Sequence, residues 1–410
     1  MSIQTNENQE IPRLDLFSSE FKKNAYPFYE ELRMKDPVYH FILPNGQTAW
    51  LITRYEDANA VLKDYRFIKD PKKVYESEQL TKLFPNMENR SLFSHMLASD
   101  FPDHTRLRNL AHKAFTPKTI EGLRGQIQEI TNTLLDKVQD QGKMNLVDDF
   151  AFPLPINVIC EMLGVPAKDH VLFREWSNAL VESSNQPEKV KQFAPQYIAF
   201  IQYIKDLVKE KRQNPKDDLV SALIQAEADG DKLTKEELYS MIFLLIVAGH
   251  ETTVNLISNG VLALLEHPEQ MEQLKSNPEL IPSAIEEMLR YYGPVELATN
   301  RWANEDILLH DKLIRKGEIV VVALASANRD EVQFKEANRF DITRKNNRHI
   351  AFGMGIHYCL GAPLARLEGQ IAIQTLLSRM PDLSLNVDRH SLEWRPAYLM
   401  RSLVELPVVF

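Results

Sequence analysis

Cysteine is nearly absent from this 410-residue chain: there are two, Cys160 and Cys359. Two thiols cannot build a disulfide framework, so a reducing compartment is expected. Nor do they make the cysteine set that an iron–sulfur cluster requires. Positive charge is in deficit, with 48 Lys+Arg against 57 Asp+Glu and a net charge of −9, which argues against nucleic acid as a main partner. No apolar run approaches the ~20 residues needed to span a bilayer. Met1–Glu10 is polar, is neither a signal nor a transit peptide, and is expected to be flexible. Repeats, low-complexity tracts and Gly/Ser linkers are missing too. No G-x-G-x-x-G follows a strand and no βα series runs along the chain, which disfavours a Rossmann enzyme. The length allows a sizeable core, and residues 1–410 read as one domain.

Helical periodicity dominates what is present. It predicts helices over about Tyr55–Asp64, Ile120–Gln139, Pro155–Met162, Tyr197–Arg212, Thr234–Glu266, Pro282–Tyr291 and Leu364–Leu377. Val38–Leu43 and Thr48–Thr53 flank Pro44-Asn45-Gly46-Gln47 and read as a hairpin. Asn214-Pro215-Lys216-Asp217-Asp218 reads as a turn between helices. Strand-like runs return at Ile319–Leu324 and Leu403–Phe410. The fold class is mainly α with small β-sheets.

One cysteine stands in an unusual context, Phe352-Gly353-Met354-Gly355-Ile356-His357-Tyr358-Cys359-Leu360-Gly361. It opens a predicted helix, whose free N–H groups and positive dipole end lower a thiol pKa. Gly353, Gly355 and Gly361 let backbone turn tightly and approach something flat and bulky. A thiolate held this way suits the fifth position of haem iron. Cys160, in Val158-Ile159-Cys160-Glu161, reads as a buried structural thiol.

The longest predicted helix begins with a capping box, Thr234 and Glu237, and ends before Pro268. At roughly 30 residues and 1.5 Å per residue it spans about 45 Å. Its centre, Ala248-Gly249-His250-Glu251-Thr252-Thr253, puts a glycine, a carboxylate and two β-branched residues among apolar neighbours. Each lowers local stability, and such a concentration mid-helix marks a candidate site.

These two segments resemble the family of soluble bacterial cytochromes P450, haem-thiolate monooxygenases. The likeness extends from about Ile52 to Val404 and is strongest to the branch that includes macrolide and other polyketide hydroxylases. F-G-x-G-x-H-x-C-L-G and A-G-x-[DE]-T-T are matched at every fixed position. The resemblance implies a helical fold with haem b buried between the long helix and the cysteine loop. Cys359 is implied to be the iron ligand, with Phe352 beside the sulfur and Gly361 opening the ligand helix. Ala248 is implied to leave room for dioxygen and substrate, Thr252 to hydrogen-bond the activated oxygen or a neighbouring water, and Glu251 to relay protons from solvent. His250 faces elsewhere on a helical wheel and reads as structural or solvent-side, not as an iron ligand. The haem propionates are implied to bind His104, Arg108, Arg301 and His357. Glu287, Arg290 and Arg339 are implied to form a buried network supporting the cysteine side. The sequence departs from the family at Phe101 and Ala337, where proline is usual.

Substrate contacts are sought in the loop Leu92–Leu97, in Leu244, Leu245 and Ala248, in Val295, Leu297 and Ala298, and in Leu399 and Met400. They suit a largely apolar small molecule, with Glu296 either facing solvent or touching a polar group on it. Electrons must come from outside, because no flavin or nicotinamide fingerprint is present. A ferredoxin or flavodoxin with an NAD(P)H reductase is implied; Arg106, Lys113, Arg344, Lys345, Arg348 and Arg366 read either as a basic docking patch for it or as scattered surface charge. The expected activity is insertion of one atom of O2 by hydroxylation or epoxidation, in the cytoplasm and without a membrane anchor. A peroxide-driven peroxygenase and a non-catalytic haem sensor are the alternatives. Both sit poorly with the acid–alcohol pair Glu251-Thr252.

Overall fold

The computed structural model describes residues 15–16, 18–43, 46–83, 94–112, 115–173, 175–176, 190–228 and 233–410. Leu92, Phe93, Lys113 and the hairpin residues Pro44 and Asn45 lie outside them, as does Met1–Glu10.

The chain opens with helix α1 (Ser19–Lys35), the hairpin β1 (Val38–Ile42) and β2 (Thr48–Ile52), α2 (Tyr55–Lys63) and β3 (Phe67–Ile68). Helices α3 (Ser77–Leu83), α4 (Asp103–His112), α5 (Pro117–Gly122) and α6 (Arg124–Gln139) follow, then β4 (Lys143–Asn145) and α7 (Pro153–Leu163). The middle of the chain is helical: α8 (Val190–Gln213), α9 (Leu219–Ala228), α10 (Lys235–Glu266), α11 (Pro268–Ser276) and α12 (Ile281–Tyr291). Strands β5 (Arg301–Ala303), β6 (Ile307–Leu309), β7 (Lys312–Ile314) and β8 (Ile319–Val322) precede α13 (Leu324–Ala327), α14 (Ala362–Arg379), β9 (Ser384–Leu385) and β10 (Pro407–Val409).

The predicted hairpin forms in register, Val38 opposite Ile52 and Ile42 opposite Thr48. It is the edge of a five-stranded sheet ordered β1-β2-β8-β5-β3, in which only β2 and β8 run parallel. The single helix expected over Ile120–Gln139 is instead α5 and α6, with Leu123 between them and glycines on either side at 122 and 125.

α10 begins as its sequence dictates. The Thr234 side chain accepts from the Glu237 N–H at 3.1 Å, and the Glu237 carboxylate accepts from the Thr234 N–H at 2.8 Å. It is the apolar spine of the main core, packed by α7, α12 and α14. Gly260 and Gly369 let these helices close up. A Cβ at 260 would lie 2.8 Å from the Met288 sulfur, and one at 369 would lie 3.2 Å from Ile285 and Leu256. Contrary to expectation, α10 is apolar and long enough by composition to cross a membrane. Its apolar faces are used inside the fold: Leu244, Ile246, Leu256, Ile257, Val261 and Leu264 are all buried.

Candidate functional site

α14 starts at Ala362, three residues after Cys359, so the thiol sits at a helix N-terminus as its sequence context requires. Gly353 and Gly355 have φ of +70° and +72°, in the left-handed region that favours glycine. A Cβ on Gly355 would also stand 2.7 Å from the Leu62 carbonyl oxygen. The loop is tied to itself by the Cys359 N–H, which donates to Phe352 O at 2.9 Å. The backbone N–H groups of Gly361 and Ala362 lie on the side of the Cys359 sulfur and favour its thiolate. Burial nevertheless pushes its thiol up, outweighing those N–H groups and the nearby guanidinium groups of Arg108 and Arg366. The protein matrix alone therefore does not ionise this sulfur, contrary to the helix-terminus expectation. A metal bound to it would do so outright. Phe352 packs beside the loop with the Arg366 guanidinium 4.5 Å from its ring centre. Cys160 is fully buried, and burial pushes its thiol up to about 12, as expected of a structural cysteine.

Four residues from three distant segments, His104 and Arg108 on α4, Arg301 and His357, converge on the cysteine side. The rings of His104 and His357 are 4.3 Å apart. Burial, then Arg301, His104, Lys69 and Arg108, drive His357 down to about 2, so it is neutral. Burial likewise lowers Arg108, and it lowers Arg301 to about 10 against the pull of Asp100. Both ring nitrogens of His104, Nε2 of His357 and Nε of Arg301 are buried without a partner. Lys69, which carries no signal in the sequence, joins them. Its ammonium donates to the Thr299 and Asn300 carbonyl oxygens at 2.6 and 2.8 Å, and burial, reinforced by Arg301, holds its pKa far below the usual lysine value. Like charges crowded with idle donors are costly unless an anion joins them.

On α10, Ala248 is exposed although Leu244, Leu245, Ile246 and His250 around it are buried. Thr252 lies on the same face and donates its hydroxyl to the Ala248 carbonyl at 2.8 Å. Glu251 Oε1 is buried without a partner, and burial pushes the carboxyl up to about 7. His250 is buried, 3.2 Å from the Phe152 carbonyl, in keeping with a structural role.

The expected network behind the cysteine loop exists with one change of member. Arg290 grips Glu287 with two bonds of 2.8 Å, and both side chains are fully buried. Arg290 also donates to the carbonyl oxygens of Asn328, Ala337 and Arg339. Only the backbone of Arg339 takes part. Its side chain is 60% exposed and pairs with Glu336 at the surface. Arg344, 11% exposed, takes the third place, 3.1 Å from Glu287. Because the Arg339 carbonyl is turned in toward Arg290, its side chain is carried outward, and the chain must run five residues further before an arginine faces in. Arg344→Ala is therefore expected to destabilise the protein by about 2–4 kcal/mol, as for a broken buried pair. Arg339→Ala should cost under about 1 kcal/mol. Denaturant unfolding of the two variants checks this.

Other expectations are revised. Glu296 neither faces solvent nor reaches a substrate. It is buried against Lys22 at 3.1 Å, Tyr29 Oη at 2.7 Å and Arg401 at 3.7 Å, pinning α1 to the C-terminal segment. Leu297 has no exposed surface and belongs to the core under the five-stranded sheet, so it cannot line a pocket. Leu244 and Leu245 are largely committed to the main core. Val295 and Met400 pair directly, and Leu399 O accepts from the Glu296 and Leu297 N–H groups, so these two segments do come together. The basic patch is smaller than expected, because Arg106 pairs with Glu237, Arg344 with Glu287 and Arg366 with Glu286. Lys345 and Arg348 remain exposed.

A dianionic ligand answers the idle donors, and a metal beside them answers the buried sulfur. Haem, with two propionates and one iron, satisfies both, so fold and site together define a haem protein of the cysteine-ligated kind. The profile of the family described as "Cytochrome P450" matches residues 14–381. A cytochrome P450 of Bacillus subtilis is 51% identical over 396 residues, 96% of each chain. 6-Deoxyerythronolide B hydroxylase of Saccharopolyspora erythraea is 42% identical over 96% of this chain and 98% of its own. The solved structure of the Bacillus subtilis bacillaene polyketide synthase cytochrome P450 PksS has a TM-score of 0.90 at 44% identity, covering 97% of this chain and 99% of that one. The chain belongs to the cytochrome P450 family, in its bacterial macrolide- and polyketide-hydroxylase type. It is an oxidoreductase with haem-iron monooxygenase activity, which requires an organic substrate and a source of electrons.

Proposed function

We propose that this protein is a cytoplasmic haem b monooxygenase that hydroxylates or epoxidises a bulky, largely apolar small molecule. Its electrons come from a ferredoxin or flavodoxin and an NAD(P)H reductase. The observation that carries the reading is the convergence of His104, Arg108, Arg301 and His357, with buried nitrogens of His104, Arg301 and His357 unpartnered and Arg108 within electrostatic reach of the Cys359 sulfur. When bound, the haem supplies the activation of dioxygen. Cys359 would ligate its iron and the four convergent side chains would hold its propionates, with Lys69, its ammonium committed to Thr299 and Asn300, adding positive charge behind them. Ala248, small and exposed on α10, leaves space for dioxygen and substrate. Thr252 presents a hydroxyl on the same face, one rotation away from its bond to Ala248 O. Glu251 carries protons toward it, its pKa of about 7 being suited to exchange at neutral pH. Ala298, Val295, Leu399 and Met400 supply apolar contacts to the substrate. The likeness to a macrolide-ring hydroxylase supports a polyketide-sized substrate.

The test of the activity is turnover with a surrogate ferredoxin and reductase, using any compound that shifts the haem Soret band from low to high spin. Product that depends on NAD(P)H and O2 supports the reading. Equal product from peroxide alone would replace it with a peroxygenase. The anchors have their own test. Charge-assisted hydrogen bonds are worth roughly 1.5–3 kcal/mol each, so replacing both Arg108 and Arg301 by alanine should weaken haem binding at least about a hundredfold. Normal haem content in that double variant would rule the anchors out.

A further inference from the structure

Beside Glu251 the packing leaves a cavity of about 50 Å³, large enough to hold water. It lies where three segments meet: the turn 147–151, the centre of α10 and the C-terminal residues 395–403. Its polar wall is made by Asp148, Glu251, Asn255, Arg395 and Ser402. The wall is fixed. Asn255 Nδ2 donates to Ser402 Oγ at 2.8 Å, and the Arg395 N–H donates to Ser402 O at 2.8 Å. Arg395 Nε donates to Leu403 O at 3.2 Å, so the half-buried guanidinium is tethered at the cavity edge. Asp148 is exposed and accepts from the Asn145 side chain at 2.7 Å. The cavity thus runs from an exposed acid at the surface to a buried acid inside.

The titratable and charged groups around it are Asp148 from the turn, His250 on α10 and Arg395 from the C-terminal segment. His250 is turned to the Phe152 carbonyl. Burial raises the Glu251 carboxyl, and Arg395 is the charged group that opposes the rise. A buried carboxyl oxygen without a protein partner, facing a polar space of water size, is built to bond water.

We propose that this cavity is the port through which solvent protons reach Glu251, with Arg395 as the positioning residue at its edge. The proposal rests on the reading of Glu251 as proton carrier. Water in the cavity gives a proton to the Glu251 carboxylate, and bulk solvent replaces it past Asp148. Arg395 acts through charge and hydrogen bonding: it orients the cavity water and keeps the ionised state of Glu251 accessible, so that the carboxyl can be reloaded in each cycle.

The test uses the haem-loaded enzyme. Difference infrared spectroscopy follows the carboxylic-acid band that disappears in Glu251→Gln, across pH, in the wild type, Arg395→Gln and Arg395→Lys. The expected result is an upward shift of the titration midpoint in Arg395→Gln and its return in Arg395→Lys, with haem content unchanged. NAD(P)H oxidation at neutral pH should fall severalfold in Arg395→Gln, and the pH above which it declines should move up with the infrared midpoint. Identical midpoints in the wild type and Arg395→Gln, while Glu251→Gln still slows oxidation, would overturn the port and leave the proton carrier standing. Unchanged oxidation in Glu251→Gln would overturn the carrier, and the port with it.

Discussion

Cys359→Ser is expected to abolish the red-shifted carbon-monoxide band of the reduced protein together with all NAD(P)H-dependent product. A serine hydroxyl keeps the shape of the loop and stands before the same Gly361 and Ala362 N–H groups that favour the thiolate. It does not provide the soft, electron-donating ligand that favours O–O cleavage. The loop should fold in the variant, because it is held by the Cys359 N–H bond to Phe352 O and by the left-handed glycines at 353 and 355, none of which involves the sulfur. Cys160→Ala is the matched control. Its thiol is buried in the main core, with burial pushing it to about 12, so its loss should cost a little stability and leave the band intact. A band that vanished with Cys160 and survived without Cys359 would reverse the ligand assignment.

Thr252→Ala is expected to leave haem binding, substrate binding and NAD(P)H consumption largely in place while product falls and hydrogen peroxide rises. The hydroxyl is a polar group on the open face of α10 beside Ala248, where it now donates to Ala248 O at 2.8 Å. Without the hydroxyl no group would hold a proton at that position, and reducing equivalents would be lost as hydrogen peroxide, its two protons taken from solvent. Glu251→Gln should behave differently, because it cuts the supply of protons: consumption itself should fall, by a factor of roughly 10², or about 2.7 kcal/mol. The pH dependence separates them further. Burial holds the Glu251 carboxyl at about 7, so its acid form is lost as pH rises through that value. Wild-type turnover should decline above about pH 7, and Glu251→Gln should lack that limb. The measurement is product and peroxide formed per NAD(P)H oxidised, across pH. Unchanged coupling in Thr252→Ala would withdraw it as a catalytic residue.

Features that depend on neighbours in the chain are legible in the amino-acid sequence itself. The Thr234–Glu237 cap, the β1–β2 hairpin, the glycine-spaced loop and the helix opening after Cys359 are local, and each forms as its residues prescribe. The anomalous centre of α10 is visible because polar and flexible residues interrupt an apolar run. The propionate anchors are legible only through family resemblance, since an isolated histidine or arginine carries no signal of its own. Lys69 falls outside that resemblance, and its burial beside Arg301 is seen only in the packed chain.

What only the tertiary structure decided concerns residues whose partners come from elsewhere. The family pattern points to Arg339 as the third member of the network and leaves Arg344 on the surface, and the direction of the backbone carbonyl under Arg290 reverses the two. Glu296 becomes a structural ion because α1 delivers Lys22 and Tyr29 to it. Leu297 goes to the core and Ala248 to the open face because the sheet and helices around them leave space on one side only. The charge state of Cys359 follows the same rule: the helix terminus is local and favours the thiolate, but desolvation comes from the whole fold and outweighs it. Local sequence sets backbone conformation through short-range sterics and hydrogen bonds. Burial and charge pairing are sums over distant segments, and they take their values only when the chain has packed.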